Sequence, residues 1–429
     1  MRTDDGEAGE AVERTSTASA RGGPVRLALL AAGVLVLGVA TGWGWFVIVG
    51  ALLLMIFLHE LGHYLTARWS GMKVTEFFIG FGPKLWSFQR GETTFGLKAI
   101  PAGAYVKVIG MYGGDDVDPD EEHRTYRQKK YYQRVVMASA GSAMHLAIAT
   151  VLIFVVLVGF GRPTTADWRI ANVSAASPAA AAGLEAGDRV VRIDGADVTD
   201  WEALTEAVRP AAGRTVEVVV LRDGTERTVR ATLGSHPDGT DRGFLGVAPA
   251  FGNERTPVLD AVPETGRILG MLVVESTRSM VRILSPDGLG NFFGLVAEGR
   301  PDPAPDVASP SASAASSAAV EGDRPMSIYG AARLGVDLLD DGVDAFLGLL
   351  ILLNVFIGLF NLIPLLPLDG GHIAVATYER VRELLRRDGR RYFVDVGKLM
   401  PITYLVVALL VVLGGSSLFL DIVNPVSLP

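Results

Sequence analysis

Phe57-Leu58-His59-Glu60-Leu61-Gly62-His63-Tyr64 closes a long apolar run. On a helix, His59 and His63 stand four residues apart and project from one face, with Glu60 beside them where it can reach a water on a shared metal. That is the spacing of zinc hydrolases that cut peptide bonds. From Leu27 to Leu58 no side chain is charged, so the imidazoles follow directly on residues suited to lipid.

Composition fits that setting. The 429 residues are 49% hydrophobic, with a mean hydropathy of +0.33, yet long polar segments interrupt them. Membrane spans separated by a soluble module account for both facts better than one water-soluble core does. With 39 basic against 47 acidic residues the net charge is -8, which gives no support for a nucleic-acid partner. The chain has no cysteine, so disulfides, thiol catalysis and thiolate ligation are excluded and any zinc must be held by histidine and carboxylate.

Outward from the motif, residues 1–24 are rich in Gly, Ala, Ser and Thr and read as a disordered cytoplasmic tail. Residues 25–67 carry one or two transmembrane helices ending in the motif. As one helix, Leu27–Leu58 is roughly 48 Å long against a hydrocarbon core of roughly 30 Å, which favours two spans joined near Thr41-Gly-Trp-Gly-Trp45. Residues 68–134 form a loop on the cytoplasmic side, with short extended segments at 80–84 and 93–100 around the turn at 89–92, the second continuing through 100–109. A transmembrane helix follows at 135–161, with the small-residue run Ala138–Ala143 permitting close packing and His145 inside the span.

Residues 168–250 read as a soluble α+β module, with strands at 190–193, 216–221 and 228–232 and a helix at 201–208. A partly helical connection at 251–298 includes an amphipathic stretch around 268–283. A Pro/Ala/Ser-rich linker spans 299–326, and an amphipathic element 327–345. A broken transmembrane helix at 346–372 contains Asn354, Asn361, Pro364 and Pro367 and ends in Asp369-Gly370-Gly371-His372; such breaks often host sites. A basic loop at 373–399 and a last span at 400–421 complete the chain. The basic runs Arg124–Arg134 and Arg380–Arg391 mark the cytoplasmic side and put the soluble module outside.

Hydrolytic zinc wants three protein ligands and an open fourth position. His59 and His63 supply two, and Glu60 is needed as the base. Asp369 is the leading candidate for the third, because it ends an apolar run on the same side, where an unpaired carboxylate is costly. The blander roles are a surface acid for Glu60, a helix-ending turn for Asp369, and a packed, hydrogen-bonded ring for His145. Asn354 and Asn361 suit interhelical hydrogen bonds or substrate contacts.

The chain resembles the site-2 proteases, intramembrane zinc metalloproteases, and within them the bacterial branch that carries a PDZ domain and cleaves membrane anti-sigma factors. Three features carry the resemblance: His59–His63 at a span end; Gly80-Phe-Gly82-Pro83 with Gly96–Tyr105; and Asn361-Leu-Ile-Pro364-Leu-Leu-Pro367-Leu-Asp369-Gly370-Gly371. The resemblance implies a polytopic α-helical membrane protein with a membrane-associated β region and an inserted extracytoplasmic α+β PDZ domain. It implies one Zn²⁺ on His59, His63 and Asp369, with Glu60 as catalytic base. Ser177–Asp188, Arg192–Gly195 and Gly243–Gly246 match the segments shared by bacterial PDZ domains. The implied partners are the bilayer and a single-span membrane substrate, an anti-sigma factor already trimmed by another protease, in a bacterial plasma membrane. Two positions depart from the pattern. Gly141-Ser-Ala-Met-His145 stands where the family has Gly-Pro-x-x-Asn, and Leu366 stands where it has proline. The competing readings are a non-catalytic PDZ adaptor and a transporter with an ion site at Asn354, Asn361 and Asp369.

Overall fold

The structure is a computed structural model that describes residues 42–111, 117–235, 242–298, 325–386 and 390–423. The expected tail at 1–24, the apolar run up to residue 41 and most of the linker at 299–326 lie outside the described residues. Two compact units emerge, one of residues Phe154–Thr265 and the other of the residues on either side of them.

The larger unit opens with α1 (Trp43–Trp69), a hairpin of β1 (Val74–Arg90) and β2 (Thr93–Val108), and α2 (Tyr131–Val155), which continues as a π-helical turn to Phe160. The smaller unit holds β3 (Arg162–Val173), α3 (Pro178–Ala181), β4 (Arg189–Ile193), β5 (Ala196–Asp197), α4 (Trp201–Val208) and β6 (Thr215–Arg222). It continues through β7 (Thr225–Thr232), β8 (Gly234–Ser235), β9 (Gly243–Phe244) and β10 (Val247–Glu254). After it come α5 (Val258–Ile283), α6 (Pro286–Glu298), α7 (Ile328–Asp341), α8 (Val343–Phe360), α9 (Asp369–Arg386) and α10 (Met400–Val423).

Four helices among the described residues are long and apolar enough to cross a membrane: Trp43–Trp69, Tyr131–Phe160, Val343–Phe360 and Gly397–Val423. Their apolar side chains run all round the helix, as expected where lipid and protein share the surface. The first begins behind Gly42, whose φ of 93° lies outside the helical region. Amphipathic α7 packs on α1, α8 and α10, and Ile48, Met55, Ala332, Phe346 and Leu350 form a shared core. Its amino end is held twice, by the Ser327 side chain accepting from Gly330 N at 3.0 Å and by Asp421 of α10 accepting from Ser327 N at 2.7 Å.

The second strand, β2, runs as the extended pattern over 93–109 predicts, whereas β1 is longer than the segment 80–84 read from the sequence. Both strands double back, so that Phe78 pairs with Tyr105 on one side and Gly96 on the other, while Ser87 also pairs with Gly96. The fold-back in β1 falls at Gly80-Phe-Gly82, with φ of 87° and 83°, and a Cβ on Gly80 would lie 2.7 Å from Ile100 O. Phe81, Trp86, Phe88 and Ile100 remain exposed.

The broken span also differs from its expected extent. Helix α8 stops at Phe360, residues 361–368 form turns, and α9 starts at Asp369. Pro364 and Pro367 lack the N–H a continuing helix needs. The chain is redirected instead by Gly370 N donating to Asn361 O at 2.7 Å. Helix α5 starts ten residues before the amphipathic stretch at 268–283, because it runs through Pro263, which obscures its beginning in the sequence.

In the smaller unit an antiparallel sheet of order β5-β4-β6-β7 stands with the pairs β10-β3 and β8-β9. Val216, Val218 and Val220 alternate inward from β6 onto Trp168, Ile170, Leu204 and Leu233. Asp223 and Gly224, with φ of 50° and 78°, close the β6–β7 hairpin. Arg222 donates to Asp188 (2.7 Å), Glu185 (2.6 Å) and Gly183 O (2.8 Å), tying the sheet to the turn after α3.

Candidate metal centre

Helix α1 brings His59 and His63 to its buried side, 8% and 6% exposed, where α2 crosses it closely. The crossing is permitted by small residues. A Cβ on Gly62 would lie 2.7 Å from Ala140 O, and one on Gly141 would lie 2.5 Å from His59 Nε2 and 2.6 Å from its Nδ1. Gly141 is therefore the floor against which the His59 ring lies.

Hydrogen bonding fixes the His63 ring. Its Nδ1–H donates to Met137 O at 2.8 Å, and since a carbonyl can only accept, Nε2 is left with its lone pair. That Nε2 sits 3.2 Å from His59 Nε2. Asp369 Oδ2, at the first residue of α9, lies 3.5 Å from His59 Nε2 and 3.3 Å from His63 Nε2. Asp369 Oδ2 is buried and has no hydrogen-bond donor among the described residues.

Three electron-rich atoms so close repel one another unless a cation sits between them. Tetrahedral zinc with bonds of about 2.0–2.2 Å keeps its ligand atoms about 3.3–3.6 Å apart, which the three separations here nearly match. His59, His63 and Asp369 thus form a group able to hold a metal ion, and the donor set of two imidazoles and one carboxylate suits zinc.

Glu60 is half-buried on the next position of α1, and the backbone of Val106 in β2 hydrogen-bonds to its carboxylate. The hairpin therefore reaches the centre through main-chain groups.

Around the ligands, His145 lies beside His59, with ring centroids 5.1 Å apart, but outside the ligand group. Its Nδ1–H donates to Asn354 Oδ1 at 2.9 Å, and Asn354 Nδ2 donates to Leu350 O at 2.7 Å, so the fully buried asparagine links α8 to α2. Asn361 acts through its main-chain carbonyl on Gly370. Cβ atoms on Gly370 and Gly371 would overlap the backbone of residues 362–366, so both glycines let the turn pack under Asp369. Pro364 and Pro367 are exposed in that turn. Gly80 and Gly82 contact β2 rather than the ligand side chains.

Sequence reasoning missed the brace behind Asp369. Arg134 of α2 and Glu379 of α9, 8% and 4% exposed, pair at 2.5 Å, and Glu379 also accepts from Val394 N at 2.7 Å. The Arg134 guanidinium lies over the Tyr126 ring, 4.8 Å from its centroid. The only signal in the sequence was a charge at the edge of an apolar run, and nothing local pairs two residues 245 positions apart.

Comparison with known proteins finds relatives along most of the chain. The profile described as Peptidase family M50 matches residues 47–404. The chain is 33% identical over 412 residues to the zinc metalloprotease Rip1 of Mycobacterium tuberculosis H37Rv, covering 88% of this chain and 96% of that protein. It is 33% identical over 416 residues to Rip1 of Mycolicibacterium smegmatis, covering 88% and 97%. A solved PDZ domain of an SdrC-like protein from Listeria monocytogenes aligns with 20% of this chain and 90% of its own, at 21% identity and a TM-score of 0.18. The chain belongs to peptidase family M50, the site-2 protease family of zinc metalloproteases.

Proposed function

We propose that this protein is a zinc-dependent endopeptidase that cuts the transmembrane segment of a single-span membrane protein, an anti-sigma factor already shortened on its outer side. The observation that carries the reading is the 3.2–3.5 Å spacing of His59 Nε2 and His63 Nε2, on the candidate span α1, and Asp369 Oδ2, in the connection that follows the candidate span α8.

When bound, Zn²⁺ supplies Lewis-acid polarisation of the scissile carbonyl and makes water acidic enough to ionise near neutral pH. Glu60 takes the proton of the attacking water on its carboxylate and hands it to the departing amide nitrogen. His63, its Nδ1–H committed to Met137 O, keeps one tautomer and presents Nε2 to the metal. A helical substrate has its peptide groups already paired, so it must unwind before attack. The β1–β2 hairpin, whose exposed Phe81, Trp86 and Phe88 suit a bilayer boundary, holds the unwound strand by edge pairing.

The smaller unit serves as a PDZ domain on the extracytoplasmic side, with the metal near the cytoplasmic side. Support comes from Ser177–Asp188, Arg192–Gly195 and Gly243–Gly246, and from β10, whose second edge has no strand beside it among the described residues. Such a domain admits substrates only after their outer portions are removed.

The test compares membranes of cells carrying the wild type or Glu60→Gln. A trimmed single-span protein should accumulate as a membrane stub only in the variant. Equal stub levels in both would sink the proposal.

A further inference from the structure

Helix α9 carries Asp369 at its first residue, and of its outer half only Glu379, through the pair with Arg134, bears on the site. It is not among the candidate spans, and it lies in the connection between two of them, α8 and α10. At 1.5 Å per residue, Arg382 stands about 20 Å along the helix from Asp369. The two spans require this connection to lie at one membrane face.

The side chains of that outer half are sorted by face. Glu379 is buried on one side, in line with His372 and Ala376 of the inner half. On the opposite side Tyr378 (49%), Val381 (47%), Leu384 (59%) and Leu385 (74%) form an exposed apolar ridge at helical spacing. Arg382 borders the ridge on one flank and Arg380 on the other, and Arg386 follows one turn beyond Arg382 at the exposed helix end. Arg380 pairs with Glu383 at 3.2 Å. Among the described residues the other two guanidiniums are held by rings instead of acids: Arg382 lies 5.8 Å from the Tyr378 centroid and 5.1 Å from that of Tyr392, and Arg386 lies 5.2 Å from that of Tyr392. Cation–π contacts position these charges without neutralising them.

An apolar stripe rimmed by arginines and by tyrosines is built for a surface that is greasy below and anionic above. We propose that the outer half of α9 rests on the membrane that holds α8 and α10. Tyr378, Val381, Leu384 and Leu385 sink into the headgroup–acyl boundary, and Arg380, Arg382 and Arg386 bind the phosphates of anionic phospholipids. This assignment depends on the spans and not on the peptidase chemistry.

Because the chain has no cysteine, Leu385→Cys accepts a single nitroxide on the full-length protein. The labelled protein is placed in nanodiscs of phosphatidylcholine, with or without about 30 mol% phosphatidylglycerol. Accessibility to oxygen and to a water-soluble nickel chelate is then read by electron paramagnetic resonance. Phosphatidylglycerol should raise the oxygen-to-nickel ratio at least about threefold, and salt at about 0.5 M should reverse much of that gain. Arg386→Gln, at an exposed helix end, should reduce the effect, and Arg380→Gln/Arg382→Gln/Arg386→Gln should abolish it. A triple variant carrying lysine at the same positions should retain it, which separates loss of charge from loss of fold. A water-like ratio in both disc types overturns the proposal. So does nitroxide–nitroxide broadening that places a second copy on this face, or inorganic phosphate reproducing the effect in neutral discs.

Discussion

Substitution of Gly141 by alanine isolates the close approach between α1 and α2 from the ligand chemistry. The added Cβ would lie 2.5 Å from His59 Nε2 and 2.6 Å from Nδ1, whereas ordinary van der Waals contact begins at 3.4 Å. The ring, 8% exposed and enclosed by α2, must retreat by about 1 Å or push the helices apart. A ligand or catalytic group misplaced by about 1 Å costs on the order of 10²-fold in rate, equivalent to about 2.7 kcal/mol of transition-state stabilisation. Metal affinity should fall by about 10–100-fold as well. The assay is zinc content of the purified protein across a chelator titration, read beside cleavage of a reconstituted single-span substrate. Gly50→Ala in the same span is the control, since its Cβ meets nothing within 4 Å and should leave both readings unchanged. Wild-type zinc retention and turnover in Gly141→Ala would refute the argument that this glycine sets the position of His59.

Glu60→Gln should keep stoichiometric zinc yet lose on the order of 10²–10⁴-fold in turnover, measured as single-turnover cleavage. Asp369→Ala should do the reverse in order of events, releasing the metal first; elemental analysis after dialysis checks it. Arg134→Met leaves Glu379 as an unpaired buried charge and should cost about 3–5 kcal/mol, whereas Arg134→Met/Glu379→Leu should recover much of that loss in thermal unfolding. In the smaller unit, burial pushes the Asp188 carboxyl up, but the Arg222 guanidinium and the Glu185 N–H outweigh it and hold the group below the usual carboxylate range. A carboxyl depressed by folding stabilises the fold above its unfolded pKa of about 3.9, and that contribution fades as pH falls through the lower folded value. Hydrogen exchange in β4 and β6 should therefore be flat from neutral pH to about pH 5 and accelerate below about pH 4, beyond the intrinsic change. Arg222→Gln should remove that dependence.

The sequence by itself marked the apolar runs and the candidate metal-binding side chains. An uncharged run needs no partner to declare its preference for lipid, and the four-residue spacing of His59 and His63 places both rings on one helix face whatever surrounds them. Asp369 was legible for a related reason: a carboxylate ending an apolar run is expensive without a cation. Alternating valines likewise marked β6. Other features were illegible because they are properties of approach between distant segments. The doubled-back hairpin depends on Gly80 meeting Ile100, the His63 tautomer on the Met137 carbonyl, and the brace behind Asp369 on a pair separated by most of the chain. His145 shows the division most plainly. Its polarity within a span announced a partner, but only the packing of α2 against α8 could make that partner Asn354 and leave the ring beside the group able to hold a metal ion instead of within it. Local pattern fixes what each segment prefers to touch, whereas interatomic distance across segments is fixed by the close packing of the whole, and the metal centre belongs to the second kind of information.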